Sequence, residues 1–359
     1  MKLDCYLLNT YYPELDGPGP VLYKNFLEQA DTAEASGFDT AWYTEHHFRT
    51  FGGMTPSVTA LMSAVAQRTR RIRLGSAVVI LPLHHPLAVA EEMAVLDILS
   101  EGRIELGVGR GMEAFEYKVF GSDFAKAQEK LEEQIQIIRA AWTQHPFTWH
   151  GRMYDFPVPM EILPSPVQQP HPPIWMSAVF SEAHYRWIGL QGFNLMTLSW
   201  VQPNLARARA LINIYREALQ EAGHDPATRD IMAMYPTYCG ETPAQAKKDV
   251  ELHWENWHRF AIEEVKHHPE PVRKAVSRMN YDVMAGENRG IFGDPAMCEA
   301  SLKHIGEELG VTHIAGVYHF GGLAQERVLA SMRRLGSEVA PALGQAQRVR
   351  PCPPSTTSV

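Results

Sequence analysis

An apolar strand runs directly into a cluster of chemically active side chains in the stretch Phe38-Asp39-Thr40-Ala41-Trp42-Tyr43-Thr44-Glu45-His46-His47-Phe48. A helical pattern over residues 21–36, closed by Gly37, precedes this strand. In barrels of parallel strands, catalytic residues gather at the carboxyl ends of the strands. Because histidine exchanges protons near neutral pH, we interpret Glu45, His46 and His47 as candidate acid–base residues.

The same alternation of apolar strands and helical patterns continues along the chain. Strands are predicted at residues 3–8, 38–44, 72–81, 104–108, 173–178, 193–198, 231–239 and 312–317. Helices are predicted at residues 21–36, 56–68, 86–99, 123–143, 182–191, 203–222, 243–265, 295–309 and 324–335. About eight strand–helix pairs predict an α/β fold, a (β/α)8 TIM barrel, rather than an open doubly wound sheet. The first strand is followed by no Gly-x-Gly-x-x-Gly motif, which also argues against the open sheet.

We predict one barrel domain over residues 1–340, with insertions in the loops at the carboxyl ends of the strands. Residues 145–169 are rich in proline and aromatic residues and are predicted to form a hairpin or loop. Residues 266–289 are polar and are predicted to form a long loop, of the kind that often serves as a lid. Residues 341–359 are predicted to be a flexible carboxyl-terminal tail.

Composition narrows the possible functions. The chain has 359 residues, of which 45% are hydrophobic, so it can bury a sizeable core. Its net charge of -8 argues against nucleic-acid binding, which depends on clustered Lys and Arg. The first residues lack the apolar core and cleavage site typical of a signal peptide, no apolar run reaches membrane-spanning length, and the four cysteines lack metal-binding spacing. We therefore expect a cytoplasmic protein without membrane or nucleic-acid partners and without a metal site.

Three further motifs favour a flat, phosphorylated cofactor at the same end of the barrel. Small residues around Ala77 and Val78 leave room for a planar ligand against a strand. Arg110 lies in a glycine-rich turn and offers a guanidinium fork that matches a phosphate. Ser181 is a plausible helix N-cap, and the start of such a helix binds anions. Each motif alone is equally compatible with ordinary barrel packing, but together they suit a cofactor site.

The order and spacing of these motifs resemble the bacterial luciferase-like, flavin-dependent monooxygenases from about residue 1 to residue 200. The matching pieces are Gly37 to Thr40 with Trp42 and Glu45 to Phe48; Leu81-Pro82 with His85-Pro86; Gly102-Arg103 with Gly109 to Gly111; Val119 to Gly121 with Asp123; and Leu198 to Trp200. Some luciferases carry a reactive cysteine where this chain has Gly109, so thiol chemistry is not carried over. The resemblance does not imply light emission.

The resemblance implies a barrel that binds reduced FMN and reacts it with molecular oxygen. One oxygen atom then passes, through a flavin peroxide, into a small, apolar organic substrate. By position, His46 looks like the catalytic histidine of the family, and Glu45 looks like its neighbour beneath the flavin ring. Ala77 and Val78 look like the residues against the isoalloxazine, where the family often has a non-proline cis peptide bond.

The remaining cofactor contacts are implied in the same way. Arg110 resembles the phosphate-binding arginine, with Met112 nearby. The segment Ser177, Ala178, Val179, Phe180 and Ser181 resembles the turn that, in the family, holds the phosphate and the ribityl chain of the flavin. Trp200 resembles the tryptophan near the flavin ring.

The resemblance also implies partners and leaves rivals open. Reduced FMN would come from a separate NAD(P)H-dependent flavin reductase, and the family commonly forms homodimers. One alternative is a hydride-transfer oxidoreductase that uses the deazaflavin F420 on the same fold. A second is a non-catalytic flavin-binding partner subunit, and a third is a metal-dependent hydrolase that uses His46, His47, His84 and His85.

Overall fold

A computed structural model describes residues 1–8, 10–52, 54–268 and 270–344. Within this part of the chain the strands are β1 (Lys2–Leu7), β2 (Thr40–Tyr43), β3 (Arg73–Ser76), β4 (Val79–Ile80), β5 (Ile104–Gly109), β6 (Phe147–His150), β7 (Asp155–Met160), β8 (Ile174–Ala178), β9 (Asn194–Thr197), β10 (Ile231–Cys239), β11 (Ile291–Gly293) and β12 (His313–Val317).

Eight of these strands form a closed parallel barrel, which confirms the predicted fold class. The order around the barrel is β1, β2, β3, β5, β8, β9, β10 and β12, and β12 pairs with β1 to close it. The short β4 extends β3 along β5, while β11 pairs with the end of β10. Consecutive parallel strands bring their carboxyl ends to one face, so the loops after them meet there.

Helices surround the barrel, and their bounds follow the sequence patterns closely. They are α1 (Pro13–Asp16), α2 (Gly19–Ala35), α3 (Val58–Arg68), α4 (Pro86–Leu99), α5 (Ala114–Val119), α6 (Ala127–Thr143), α7 (Glu182–Gln191), α8 (Leu205–Glu221), α9 (Pro243–Glu264), α10 (Glu270–Ser277), α11 (Tyr281–Gly286), α12 (Pro295–Leu309) and α13 (Gln325–Arg334). No helix in the described ranges combines the length and apolar character needed to cross a membrane.

Polar caps explain where several helices begin. The side chains of Ser57, Ser181, Asn204, Thr242 and Asp294 each accept a hydrogen bond from a backbone N–H in the first turn of the helix that follows. The helix predicted over residues 56–68 therefore begins at Val58. Pro56, the first residue of the predicted range, lies outside the helix because the Ser57 cap defines the start.

Two other local predictions need correction. The strand predicted over residues 72–81 is interrupted between β3 and β4, so Ala77 and Val78 lie outside regular strand structure. Residues 266–289 are not a long loop, because they contain helices α10 and α11. The hairpin predicted within residues 145–169 is present as antiparallel β6 and β7. Of the predicted tail, residues 345–359 lie outside the described residues, so its flexibility stays a prediction.

Close backbone contact positions the strands that carry the site. The hydroxyl of Ser76 donates to the carbonyl of Gly107 and accepts from its N–H, at 2.7 and 2.9 Å. A Cβ added at Gly107 would lie 1.9 Å from the carbonyl oxygen of Ser76. Only glycine therefore allows β5 to approach β3 this closely.

Replacing Gly107 with alanine should lower the free energy of unfolding by about 3 kcal/mol, because backbone cannot move aside as a flexible side chain could. Chemical denaturation would measure the change. Gly286→Ala is the matched control, since a Cβ there meets no atom within 4 Å and should change stability by less than about 0.5 kcal/mol. Equal stability of both variants would contradict the contact described for β3 and β5.

Candidate active site

Glu45 lies directly beyond the carboxyl end of β2, and only 3% of its surface is exposed. Its Oε1 atom lies 2.7 Å from Nε2 of His47 and 2.7 Å from Nε2 of His84. Its Oε2 atom accepts a hydrogen bond of 2.8 Å from the backbone N–H of Ile80. One carboxylate thus joins the loop after β2 to β4 and to the turn that follows β4.

The surroundings of Glu45 keep it ionised. Burial alone would raise the pKa of Glu45, because removing a charge from water is costly. Hydrogen bonds from His47 and His84, the charge of His84 and the N–H of Ile80 outweigh burial and lower the pKa of Glu45 to about 2. At His84, burial opposes protonation, but the carboxylate of Glu45 raises the net pKa of the imidazole. The carboxylate therefore favours an imidazolium at His84.

His46 has the opposite electrostatic environment. Burial and repulsion by the guanidinium of Arg49 lower the pKa of His46 to about 4, although the charge of Glu45 acts against this shift. A Cβ at Gly52, whose φ is 81°, would lie 2.6 Å from Nε2 of His46, so the ring packs directly on that backbone. His46 is neutral at pH 7. A neutral imidazole offers one N–H donor and one acceptor nitrogen, so it can pass a proton in either direction.

Three neighbouring strands fix the break between β3 and β4. The peptide bond between Ala77 and Val78 is cis, as the resemblance predicts. The N–H of Ala77 donates to the carbonyl of Tyr43 at 2.7 Å, and the hydroxyl of Tyr6 donates to the carbonyl of Ala77 at 2.6 Å. A Cβ at Gly109 would lie 2.8 Å from the side chain of Val78. The backbone at this position is therefore held from β1, β2 and β5.

An anion-compatible group of donors lies at the start of α7. Ser181 caps this helix by accepting from the N–H of His184 at 3.3 Å. The exposed guanidinium of Arg110 lies 5.3 Å above the ring of Phe124. Burial of His184 lowers the pKa of this imidazole to about 4, and the positive charge of Arg110 acts in the same direction. Arg110 and the first turn of α7 are thus close enough to act on the same anion.

The other residues predicted to contact the cofactor differ in position and in exposure to solvent. Ser177 and Ala178 end β8, and the carbonyl of Val179 accepts a hydrogen bond of 2.6 Å from the buried Gln202. Met112 and Phe180 are 50% and 48% exposed.

Trp200 is buried within an aromatic cluster rather than open at the barrel rim. Its ring centroid lies 6.0 Å from that of Trp254 and 5.6 Å from that of Trp257. Both partners belong to α9, so Trp200 joins the loop after β9 to that helix.

Sequence analysis did not identify several residues that contact the predicted site. His84 was considered as a ligand in the metal-dependent hydrolase alternative but not as a partner of Glu45, and that pairing spans 39 positions. Tyr6 and Gln202 act on backbone carbonyls, and single polar residues of this kind give no sequence signal. Trp254 and Trp257 lie three residues apart on a helix, which indicates a shared face but not its partner.

An ion-pair group at the same face connects the loops to the segment before α10. Oε1 of Glu113 lies 3.0 Å from Nη1 of Arg49 and 3.2 Å from Nε2 of His268. The guanidinium of Arg49 also lies 5.0 Å from the ring centroid of Phe115. Residues near α10 therefore contact the loops after β2 and β5.

The possible metal ligands lie elsewhere. Within the described ranges, the group of side chains close enough to share a metal ion consists of Asp4, Asp39 and His313. These residues lie near the amino ends of β1, β2 and β12, which is the opposite end of the barrel from Glu45. Within the described ranges, the four histidines considered for a metal-dependent hydrolase do not form a group close enough to share a metal ion.

Comparison with known proteins shows the family to which the chain belongs. The model described as luciferase-like monooxygenase matches residues 1–313 of the chain. The chain belongs to the luciferase-like monooxygenase family. This membership confirms the resemblance found from the motifs around Glu45 and Arg110.

Curated relatives cover different shares of the chain. The alkanal monooxygenase alpha chain of Photorhabdus luminescens is 27% identical over 369 residues, which cover 97% of this chain and 98% of the relative. The oxygenase component of the flavin-dependent trigonelline monooxygenase of Acinetobacter baylyi is 34% identical over 165 residues, 45% of each chain. An uncharacterized protein of Sinorhizobium fredii is 31% identical over 228 residues, 64% of each chain.

Solved structures show the same barrel at low sequence identity. Monooxygenase RslO1 from Streptomyces bottropensis has a TM-score of 0.85 at 24% identity, covering 96% of this chain and 100% of that one. The oxygenating constituent of 3,6-diketocamphane monooxygenase from Pseudomonas putida, in complex with FMN, has a TM-score of 0.82 at 20% identity, covering 95% and 98%. An F420-dependent tetrahydromethanopterin reductase from Methanopyrus kandleri has a TM-score of 0.70 at 18% identity, covering 96% and 99%. These likenesses show the fold.

Replacing Glu45 with glutamine should remove about 3 kcal/mol of stability at pH 7. The pKa of Glu45 is lowered from 4.5 to about 2 in the folded protein, and such a shift corresponds to about 3 kcal/mol. This contribution is complete above pH 4.5 and is lost as the pH falls through about 2. Urea unfolding across this range should therefore show the two proteins converging at low pH.

Asp155→Asn provides the control for this comparison, since the pair between Asp155 and His150 has side chains 65% and 70% exposed. Its loss should have little effect on stability. A Glu45→Gln protein as stable as the wild type at pH 7 would contradict the electrostatic account of Glu45.

Proposed function

We propose that this protein is a monooxygenase that uses reduced FMN and molecular oxygen to oxidise a small organic substrate. The observation that carries the proposal is the neutral His46 beside the ionised, fully hydrogen-bonded Glu45 at the carboxyl ends of the barrel strands. Membership of the luciferase-like monooxygenase family and the FMN complex of a protein of the same fold support it.

The donor set at the start of α7 fits the phosphate of FMN. The guanidinium of Arg110 would hold this phosphate together with the free N–H groups of the first turn of α7, and Ser177 and Ser181 would supply hydroxyl groups. The backbone at Ala77 and Val78 would support the flat ring. Reduced FMN, when bound, would supply the electrons that activate molecular oxygen.

In this proposal the protein's own side chains position and move protons. His46 would donate or accept the proton at a ring nitrogen, because it is uncharged at neutral pH and partly accessible. Glu45 would remain ionised and would hold His47 and His84 in place, thereby fixing the loop that carries His46. The aromatic cluster of Trp200, Trp254 and Trp257 would help exclude water.

Supply of reduced FMN by a separate NAD(P)H-dependent reductase is part of the proposal. It is supported by the trigonelline relative, which is an oxygenase component of a flavin-dependent enzyme. A cytoplasmic homodimer remains our expectation, and light scattering at working concentration would measure the oligomeric state. A monomer in that measurement would contradict the dimer.

The second candidate is F420-dependent hydride transfer, which is favoured by structural neighbours that use F420. Incubation under ¹⁸O₂ with NAD(P)H, a flavin reductase, FMN and a panel of organic acids, aldehydes and ketones, alongside an oxygen-free incubation with reduced F420, separates the two. The proposed monooxygenase gives a product with one labelled oxygen. Turnover that needs reduced F420, proceeds without oxygen and leaves the product unlabelled would establish the second candidate instead.

Replacing His46 with glutamine should lower the yield of labelled product about 10²- to 10⁴-fold, because glutamine cannot exchange a proton. The affinity for FMN should remain unchanged, which shows that the site is still formed. His150→Gln, on the exposed β6–β7 hairpin, is the matched control and should retain full activity. Full activity of the His46 variant would favour a non-catalytic role for this residue.

Replacing Arg110 with glutamine should weaken FMN binding roughly 10- to 100-fold through the loss of charge-assisted hydrogen bonds to phosphate. Riboflavin lacks the phosphate, so its affinity should not change. Fluorescence titration measures both ligands, and Arg152→Gln, an exposed arginine of the hairpin region, serves as the control. Equal losses for FMN and riboflavin would show that Arg110 does not contact the phosphate.

A further inference from the structure

A cavity of about 640 Å³ lies between the start of α8 and helices α10 and α11. This volume falls within the range of small-molecule sites in proteins. Its apolar walls include Phe180, Val201, Ala275 and Val283. The cavity can therefore accept the hydrocarbon part of a small molecule.

Positive charge dominates the lining of this cavity. Arg207, Lys274, Arg278 and Arg289 line it together with a single carboxylate, that of Glu287. This balance is opposite to that of the whole chain, whose net charge is -8. The cavity is a local site of positive potential on an acidic protein.

Of these four cations, Arg207 and Arg289 are paired with a carboxylate, whereas Lys274 and Arg278 are not, within the described ranges. Nη1 of Arg207 lies 2.7 Å from Glu182, and Nη1 of Arg289 lies 3.7 Å from Glu287. By contrast, no ion pair joins Lys274 or Arg278 to any residue in the described ranges. Both are exposed on or just beyond α10 and face a cavity with room for a ligand. Their charges are therefore free to bind an anion.

The start of α8 adds a second source of positive potential. This helix is 17 residues long, and Asn204 caps it by accepting from the N–H of Arg207 at 2.9 Å. Asn204 also lines the cavity. The positive end of the helix dipole therefore adds to the charges of α10 at the same place.

Hydrogen bonds connect this cavity to the candidate active site. Nε of Arg289 donates to the carbonyl of Trp200 at 2.9 Å. The side chain of Gln202, which lines the cavity, donates to the carbonyl of Val179 at 2.6 Å. Phe180 lies both in the lining and in the segment proposed to hold the cofactor. A ligand in the cavity would thus lie beside the proposed flavin site.

We propose that this cavity binds an anionic group, a carboxylate or a phosphate ester, on an otherwise apolar organic substrate. This inference rests on the proposed function for the identity of the ligand as substrate, and it modifies the expectation of a wholly apolar substrate. Lys274 and Arg278 hold the anion, Arg289 sets the inner limit of the site, and the apolar wall receives the hydrocarbon chain.

The test uses three probes of equal chain length, hexanoate, hexyl phosphate and hexanamide, in calorimetric titrations of the full chain. The wild type should bind the two anions more tightly than the neutral amide, and added salt should weaken only the anions. The double variant Lys274→Gln, Arg278→Gln should lose about tenfold in affinity for the anions and none for hexanamide. Whichever anion binds more tightly identifies the preferred group.

Two further variants make the result specific. Arg273→Gln, on the same helix but outside the cavity lining, should leave all three affinities unchanged. Glu287→Gln removes the one carboxylate and should tighten anion binding. The proposal is overturned if neither anion binds the wild type, if hexanamide binds as tightly as the anions, or if the Arg273 variant loses as much as the double variant.

Binding of FMN, measured on the same samples, keeps this inference separate from the proposed function. The double variant should bind FMN as tightly as the wild type does. If the double variant loses FMN affinity and FMN displaces hexanoate, the cavity belongs to the cofactor phosphate and the proposal fails. If hexanoate binds as expected but FMN does not bind at all, the anion site stands and the monooxygenase function fails.

Discussion

The carboxylate of Glu45 is the constraint on which the candidate site depends. It is buried, yet it remains ionised because His47, His84 and the N–H of Ile80 all point at its two oxygens. Removing any one partner would leave a charge in a poorly solvated place, and this is strongly destabilising. The three segments that supply these groups are therefore held together, and the loop that carries His46 is fixed between them.

This arrangement gives neighbouring residues opposite protonation states. Glu45 is stabilised as an anion, whereas burial and Arg49 keep His46 neutral. Acid–base sites are typically places where the surroundings shift the pKa values of neighbouring titratable groups in opposite directions or far from their ordinary values. The anion-compatible turn at α7 and the basic cavity beyond it extend the same face, so the proposed proton transfer, cofactor binding and substrate binding would all take place at adjacent loops.

The sequence was sufficient for the barrel because strand and helix periodicities are local properties of the chain. It also located Glu45 and His46 at the carboxyl end of β2, because they follow this strand directly, while their acid–base role stays a prediction. It could not reveal His84 as the partner of Glu45, since that contact spans 39 positions, across helix α3 and strands β3 and β4. The break at Ala77 was hidden within an apolar run, because its stabilising groups, such as the hydroxyl of Tyr6, come from other strands. Likewise, the polar composition of residues 266–289 concealed α10 and α11.

¹⁵N NMR of labelled histidine side chains measures the protonation states of the imidazoles around Glu45 directly across the pH range. We expect His46 to stay neutral at pH 7 and to titrate only near pH 4, while His84 keeps its proton to higher pH than an ordinary histidine side chain does. In Glu45→Gln, the pKa of His84 should fall. A charged His46 at pH 7, or a His84 that does not respond to the loss of Glu45, would contradict the account.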